Sequence, residues 1–296
     1  MLEELKVCPV CEKGDFKPYL TCTDYTVSKE EFNLIACSAC GFVFTNPRPT
    51  METSGFYYKS EEYISHTNSN AGMMNKIYKT VRNKAIDGKL DLIDKYGPLP
   101  KSLLDYGCGT GEFLAAAKRS GWVAAGLEID QDARNLAKQN HSLNVDSPEK
   151  LATLPNGQFG VITMWHVLEH VHNLKETIGH LRRILSSAGV LIIAVPNHQS
   201  NDAKHYGRYW AAYDVPRHIY HFSKDSMTKL MTEAGFELRE THSLFFDPFY
   251  IALLSEKYKN GWSNPISAAL VGMKTTRKGK TNVEANSSLV YVFGKG

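Results

Sequence analysis

Apolar residues recur along this chain in two rhythms, and the change from one to the other divides it. Between residues 70 and 96 they fall at Met73, Ile77, Val81, Ile86, Leu90 and Ile93. That spacing predicts helix with one buried stripe from about Asn70 to Tyr96, ended by Gly97-Pro98. From Lys101 onward short apolar runs alternate with helical spacings. Residues 102–106, 123–129, 160–164 and 190–195 read as strands, and 112–120 and 132–139 as helices. Leu174, Ile178, Leu181 and Ile184 mark a further helix face, closed by Gly189. The run 190–195 is apolar throughout, as in a strand buried on both sides. Ser223 caps a helix carrying Met227, Leu230 and Met231, which Gly235 ends. Strands at 236–244 and 288–293 complete the series. Such alternation predicts an α/β fold, a mostly parallel sheet with helices on both faces.

Neither rhythm covers the first 49 residues. They hold Cys8-Pro9-Val10-Cys11, then Cys37-Ser38-Ala39-Cys40-Gly41, a strand-like 42–44, and Asn46-Pro47-Arg48-Pro49, whose prolines read as a boundary that stops regular structure. Residues 55–66 are rich in Tyr and Glu without a period. The organisation expected is a module at 1–49, a helical linker or lid at 50–98, and a main domain at 99–296 with an insertion at 245–287. The polar stretch 275–287 reads as a mobile connection.

Composition changes this picture little. Of 296 residues, 43% are hydrophobic and 22% charged, and the net charge is +3. That charge is too small to argue for a nucleic-acid partner, and residues 1–49 have no basic–aromatic run. No window approaches the ~18 apolar residues of a membrane span, and the first residues lack the pattern of a signal peptide. A cytoplasmic protein is the expectation. No feature of the sequence specifies an oligomeric state.

The cysteines change it more. Five of the six fall within the first 40 residues, and in a reducing compartment such clustering points to metal before disulfides. Two C-x-x-C pairs can give four thiolates to one tetrahedral zinc, so Cys8, Cys11, Cys37 and Cys40 are the expected ligands of a structural Zn²⁺ in a zinc-ribbon-like module. Cys22 reads as an unrelated buried thiol.

The main domain opens on Leu103-Leu104-Asp105-Tyr106-Gly107-Cys108-Gly109-Thr110-Gly111-Glu112. A strand runs into closely spaced glycines and then a helix, so a ligand can approach bare backbone at a helix start. Glu128, ending the next strand, can accept from two ribose hydroxyls. The dinucleotide fingerprint G-x-G-x-x-G would need glycine where Glu112 stands. Asp105, two residues before the first glycine, instead suits a ligand carrying an ammonium group.

On these residues the chain resembles the Class I S-adenosylmethionine (AdoMet)-dependent methyltransferases. Phe159-Gly160-Val161-Ile162 through Glu169-His170 is similar to their fourth strand and loop, with Gly160 in place of the usual Asp. The resemblance implies a Rossmann-like seven-stranded sheet with its reversed strand near the C-terminus, and AdoMet as cofactor. It implies cofactor-binding roles for Asp105, Gly107, Cys108, Gly109, Gly111, Glu128 and Ile129, for Asp146 and Ser147 beside adenine, and for Trp165 and His166 beside the methionine end.

Two histidine groups bear on the acceptor. His166, Glu169 and His170 have i, i+3, i+4 spacing that would put them on one helical turn. A similar E-x-x-E-H stretch holds a divalent metal in ubiquinone-pathway O-methyltransferases and small-RNA 2′-O-methyltransferases, and His166 replaces its first acid here. The plainer reading is a loop signature that orders a helix start. Residues 206–223 carry six aromatics, two arginines and two histidines. They resemble the same loop in zinc-containing sugar-nucleotide C-methyltransferases, with His218 in the place of the catalytic histidine and Arg217 where Glu would stand. His218, His221 and Tyr213 are therefore the expected catalytic residues.

The function expected is methyl transfer to a small-molecule acceptor, a sugar nucleotide or glycan precursor first. The alternatives are O-methylation of a quinone-like, phenol-like or lipid-linked acceptor, and a zinc-ribbon RNA methyltransferase. Residues 245–272 read as a helical cover over the sheet edge. Their aromatics, followed by Lys274, Arg277, Lys278 and Lys280, also suit membrane-surface contact through 245–280.

Overall fold

The computed structural model describes residues 1–58 and 73–296, with 73–80 as backbone alone. The expected helix start at Asn70, the run 59–66 and the side chains of Met73 and Ile77 lie outside the described residues. The N-terminal strands are β1 (Leu2–Glu3), β2 (Phe16–Thr23), β3 (Glu31–Cys37), β4 (Val43–Thr45) and β5 (Arg48–Pro49). Then come α1 (Met51–Ser54), α2 (Met73–Tyr96), β6 (Ser102–Tyr106), α3 (Glu112–Arg119), β7 (Val123–Leu127), α4 (Gln131–His141), β8 (Val145–Asp146) and β9 (Phe159–Trp165). The chain continues through α5 (Leu174–Ile184), β10 (Leu185–Pro196), α6 (Asn201–Tyr206), β11 (Tyr220–His221), α7 (Lys224–Glu233) and β12 (Phe236–Ser243). It closes with α8 (Asp247–Asn260), α9 (Pro265–Gly279) and β13 (Ser288–Lys295).

Seven strands form one sheet in the order β12-β13-β10-β9-β6-β7-β8. The pairs β10–β9, β9–β6, β6–β7 and β7–β8 are parallel, and β13 runs antiparallel to both its neighbours. Every residue of β9 is buried, because helices cover both faces and leave neither side to water. Local chemistry sets the element ends. Asp130 accepts from the backbone N–H groups of Asp132 and Ala133 to cap α4, and Ser223 with Ser226 forms a capping box at α7. One end differs from expectation: Leu185 turns extended, so α5 stops at Ile184 and the bulged start of β10 carries Gly189.

Residues 1–49 are not a free-standing layer. The strands β2, β3 and β4 make a four-stranded antiparallel sheet whose fourth member is β11, in the order β11-β4-β3-β2. Alternation along these strands sends Phe32, Leu34, Ala36 and Val43 to one face, against Trp210, Tyr213, Ile251 and Val271. The other face, with Phe42, Phe44 and Cys37, joins the large core that includes Leu168, Ile219, Phe222 and Met227. The insertion helices α8 and α9 thus lie on the smaller sheet and the 206–223 loop, and the expected cover over the edge of the large sheet is corrected accordingly.

Two further expectations are overturned. Arg48-Pro49 pairs with Leu2–Glu3 although flanked by proline. The stretch 275–287 is ordered, because Thr275, Asn286 and Ser287 are buried and Asn197 ties it down through the carbonyls of Glu284, Asn286 and Ser287.

Candidate active site

The carboxyl edge of the large sheet opens between β6, β7 and β9, and its first half is made by the glycine loop. Gly107 has φ +77° and no room for a side chain, since a Cβ there would come 2.3 Å from Val167. Gly109 has φ +54° with open space where its Cβ would be, as a backbone approached by a ligand requires. Its N–H donates to Glu128 Oε2 at 2.8 Å, and the Asp130 N–H donates to Oε1 at 3.0 Å. Glu128 is thereby fixed beside the glycine loop with acceptor capacity left over. Gly111, at φ +86°, begins α3, and Cys108 is buried beside it, where burial pushes its thiol up. Ile129 and Asp146 are exposed at the ends of β7 and β8, which the Glu128 N–H to Asp146 O bond holds together, and half-buried Ser147 follows.

Asp105 is buried, and its Oδ1 accepts from Thr163 Oγ1 at 2.7 Å. Burial pushes its carboxyl up to about 6 against the opposing pull of Thr163 and Lys89. Lys89, on α2, brings its ammonium to 4.7 Å from the centre of the Trp165 ring and 5.8 Å from that of Phe113. Burial lowers its pKa while Asp105 and Asp247 oppose the shift. An acid, an ammonium and an indole thus converge where the methionine end of AdoMet was expected, and open backbone plus exposed Ile129 suit its adenosine. Lys89 escaped the sequence reading; its signal is a lysine one turn after Ile86 on a buried stripe.

The second half of the edge is assembled from distant segments. Residues 168–170 form a single short turn, and the expectation that His166, Glu169 and His170 share it is corrected. His166 takes φ +57° and stands outside, with Nε2 at 3.0 Å from Asp247 and Nδ1 at 3.4 Å from Glu169. Burial works against its charge, but these two carboxylates lift it to about 10. The partner that replaces it is His218. Its Nδ1 lies 2.9 Å from Ala212 O, which leaves Nε2 as the acceptor nitrogen, 4.0 Å from Glu169 and 3.9 Å from Asp214. His170 likewise turns Nδ1 to Arg217 O at 2.9 Å, and the two rings meet edge to face at 4.7 Å. Glu169 is fully buried, and neither carboxylate oxygen accepts a hydrogen bond among the described residues. One ligand atom each from Glu169, His170 and His218 lies within 4.8 Å of the others.

The N-terminal sheet holds this loop in place. Arg217 reaches Asp24 at 3.2 Å and Asp214 at 3.0 Å, with Asp24 wholly enclosed and its carboxyl, despite burial, held at about 2 by its hydrogen bonds and by Arg217. Thr45 donates to His218 O at 3.0 Å, and its hydroxyl lies 3.1 Å from His221 Nε2. His221 is buried, which drives its pKa well down, and buried Tyr213 lies edge-on to Trp210 and His221. Both were expected beside the acceptor; the structure encloses them more deeply than His218, which is itself buried, because β11 and the loop are sandwiched between two apolar layers.

The four paired cysteines converge, with Sγ separations of 3.6 Å for Cys8–Cys40 and 3.5 Å for Cys11–Cys37. Four thiolates about 2.3 Å from one zinc fit such spacings. Cys22 sits apart, buried against Phe32 and Leu34.

Comparison with known proteins fits this geometry. The sequence profile of the family described as methyltransferase domain matches residues 78–241. A ubiquinone biosynthesis O-methyltransferase of Thiobacillus denitrificans is 25% identical over 177 residues, covering 54% of this chain and 75% of that protein. Its namesake in Glaesserella parasuis is 26% identical over 189 residues, covering 57% and 75%. Among solved structures, the magnesium protoporphyrin IX methyltransferase of Synechocystis with bound SAH superposes with a TM-score of 0.52 at 15% identity, covering 81% of this chain and 97% of that one. A possible histamine N-methyltransferase of Thermotoga maritima gives 0.50 at 17% identity, covering 75% and 95%. The structural likenesses concern the fold.

Proposed function

We propose, from the premise that this chain belongs to the methyltransferase domain family and is an AdoMet-dependent methyltransferase of small molecules, that its acceptor atom is a hydroxyl oxygen of a phenol- or quinone-like compound. The observation that carries this reading is His218 Nε2 at 4.0 Å from Glu169, a buried carboxylate that also has His166 Nδ1 at 3.4 Å. A hydroxyl brought against His218 finds a proton acceptor there, and Glu169 stabilises the imidazolium that results. AdoMet, when bound, supplies the methyl group on a cationic sulfonium. Asp105 receives its ammonium, Lys89 its carboxylate and Glu128 its ribose hydroxyls, with Asp146 and Ser147 beside the adenine. The product is uncharged at sulfur, so orienting the acceptor and excluding water are the chain's main contributions. The quinone-pathway names of the sequence relatives support the same acceptor class.

Glu169, His170 and His218 also fit a divalent cation, which would acidify a bound hydroxyl. A sugar nucleotide, expected from the loop resemblance, is the second reading. It is favoured by the grip of the cysteine module on that loop through Thr45 and Arg48, whose guanidinium donates to Tyr220 OH at 2.9 Å. In the module itself, Cys8, Cys11, Cys37 and Cys40 hold one structural zinc.

The test is SAH release from purified chain and AdoMet with catechols, simple phenols and nucleoside-diphosphate sugars, each with and without chelator. O-methylated catechol is the expected product. Transfer to a sugar carbon alone would replace the first reading by the second. Metal analysis should find one zinc in the wild type and in Cys22→Ser, and none in Cys8→Ser.

A further inference from the structure

The inserted helix pair carries apolar side chains on its water-facing side. On α9 the inner positions Ala268, Val271, Gly272 and Thr275 are buried, with Phe249 of α8 against Gly272. The opposite line, Ile266, Leu270 and Met273 at i, i+4 and i+7, is 73%, 59% and 52% exposed. Trp262, 60% exposed, stands just before the cap of α9. Arg277 continues the same line, and exposed Lys274, Lys278 and Lys280 flank it.

Both carboxylates of residues 245–280 are engaged elsewhere. Asp247 pairs with His166, and buried Glu256 accepts from Tyr206, Ser267 and Asn260. The outward face is therefore apolar and cationic without an exposed acid. Two copies of this face meeting about a two-fold axis would set these cations against one another with nothing to neutralise them. An anionic lipid surface satisfies both features at once: the apolar line enters the headgroup boundary while lysine and arginine meet phosphate. From this we infer that the outer face of α9, with Trp262, docks in the plane of an anionic membrane surface. Because Asp247 at the start of α8 touches His166 on the rim of the cleft, the docked helices and the acceptor entrance are adjacent. The inference holds for any acceptor atom.

Tryptophan fluorescence tests it, since Trp122, Trp165 and Trp210 are buried and Trp262 alone among the four is exposed. Phosphatidylglycerol–phosphatidylcholine vesicles should shift the emission of the full chain to the blue, and phosphatidylcholine vesicles should not. Trp262→Phe should abolish the shift while co-sedimentation with the vesicles persists. Leu270→Ser should weaken co-sedimentation by about tenfold, and Lys274→Glu by about fivefold. AdoMet affinity and melting temperature, unchanged in these surface variants, show that they are folded. Failure of the wild type to bind anionic vesicles overturns the inference. So does a concentration-dependent dimer that Leu270→Ser dissolves, which would make a second copy the occupant.

Discussion

Along the carboxyl edge of the large sheet, the proposed cofactor half draws Asp105, Gly107, Gly109 and Glu128 from two consecutive strand ends. The proposed acceptor half collects Asp24, Thr45, Glu169, His170, Asp214 and His218 from three separate parts of the chain. The first half is mostly backbone, shaped by glycines, and is held by hydrogen bonds between neighbouring strand ends. The second is mostly side chains, and buried ion pairs and one short strand pairing fix its form. Damage to the N-terminal sheet should therefore disable the acceptor half and spare the cofactor half.

The strongest way to break this comparison is His218→Ala. It should lower kcat by about 10²–10⁴-fold while calorimetry shows AdoMet affinity unchanged. A parallel loss of cofactor affinity would mean that the two halves are one unit.

Asp24→Asn comes next. It removes one of the two carboxylates that hold Arg217 and leaves Asp214, a change worth about 1–3 kcal/mol, and should appear as a lower melting temperature with a raised KM for the acceptor. The Asp24 carboxyl is depressed to about 2. Its contribution is thus complete above the ordinary carboxylate value and is lost only as pH falls through about 2, so this pair plays no part in pH effects near neutrality.

Glu128→Ala touches the other half. Removing the acceptor for the ribose hydroxyls should weaken AdoMet binding by about 1–3 kcal/mol and leave acceptor KM nearly unchanged.

The smallest expected effect is in pH. Asp105 ionises at about 6, and only its charged form pairs with the ammonium of the cofactor. Affinity should be flat above pH 7 and fall by up to about tenfold per unit below 6. Thr163→Val removes the hydrogen bond that favours the carboxylate, so the midpoint should move up. A midpoint that stays in place would assign the titration to another group.

The same division explains what could be read in advance. Six strands of the large sheet, the helices α3, α4, α5 and α7 and the glycine loop with Glu128 announce themselves because each is a contiguous pattern; the two-residue β8 and the short α6 are too brief to carry one. The strands β2 and β3 lie between the cysteine pairs, where Phe32, Leu34 and Ala36 carry the alternation of a strand too short to stand out. Asp24, Thr45 and Asp247 had no comparable signal. Each acts through a partner far along the chain or on another element, and polar residues at such positions look like any solvated side chain until tertiary packing encloses them. His166 was placed on the metal-like turn because spacing assumes helix; its left-handed backbone sends it to Asp247 instead.

The two-residue strand β11 also sets an order of events during synthesis. The last cysteine of the cluster is residue 40, so the four cysteines are all synthesised long before β11. The residues that close its sheet come much later: Thr45 and the His218 carbonyl it holds are 173 positions apart. At synthesis rates of ~5–20 residues per second, that gap lasts on the order of ten seconds or more. Throughout it β4 is an open sheet edge of the kind that recruits other chains. A zinc bound early would hold the nascent strands in register while they wait, so zinc starvation should show first as aggregation of newly made protein, ahead of any loss from the mature pool.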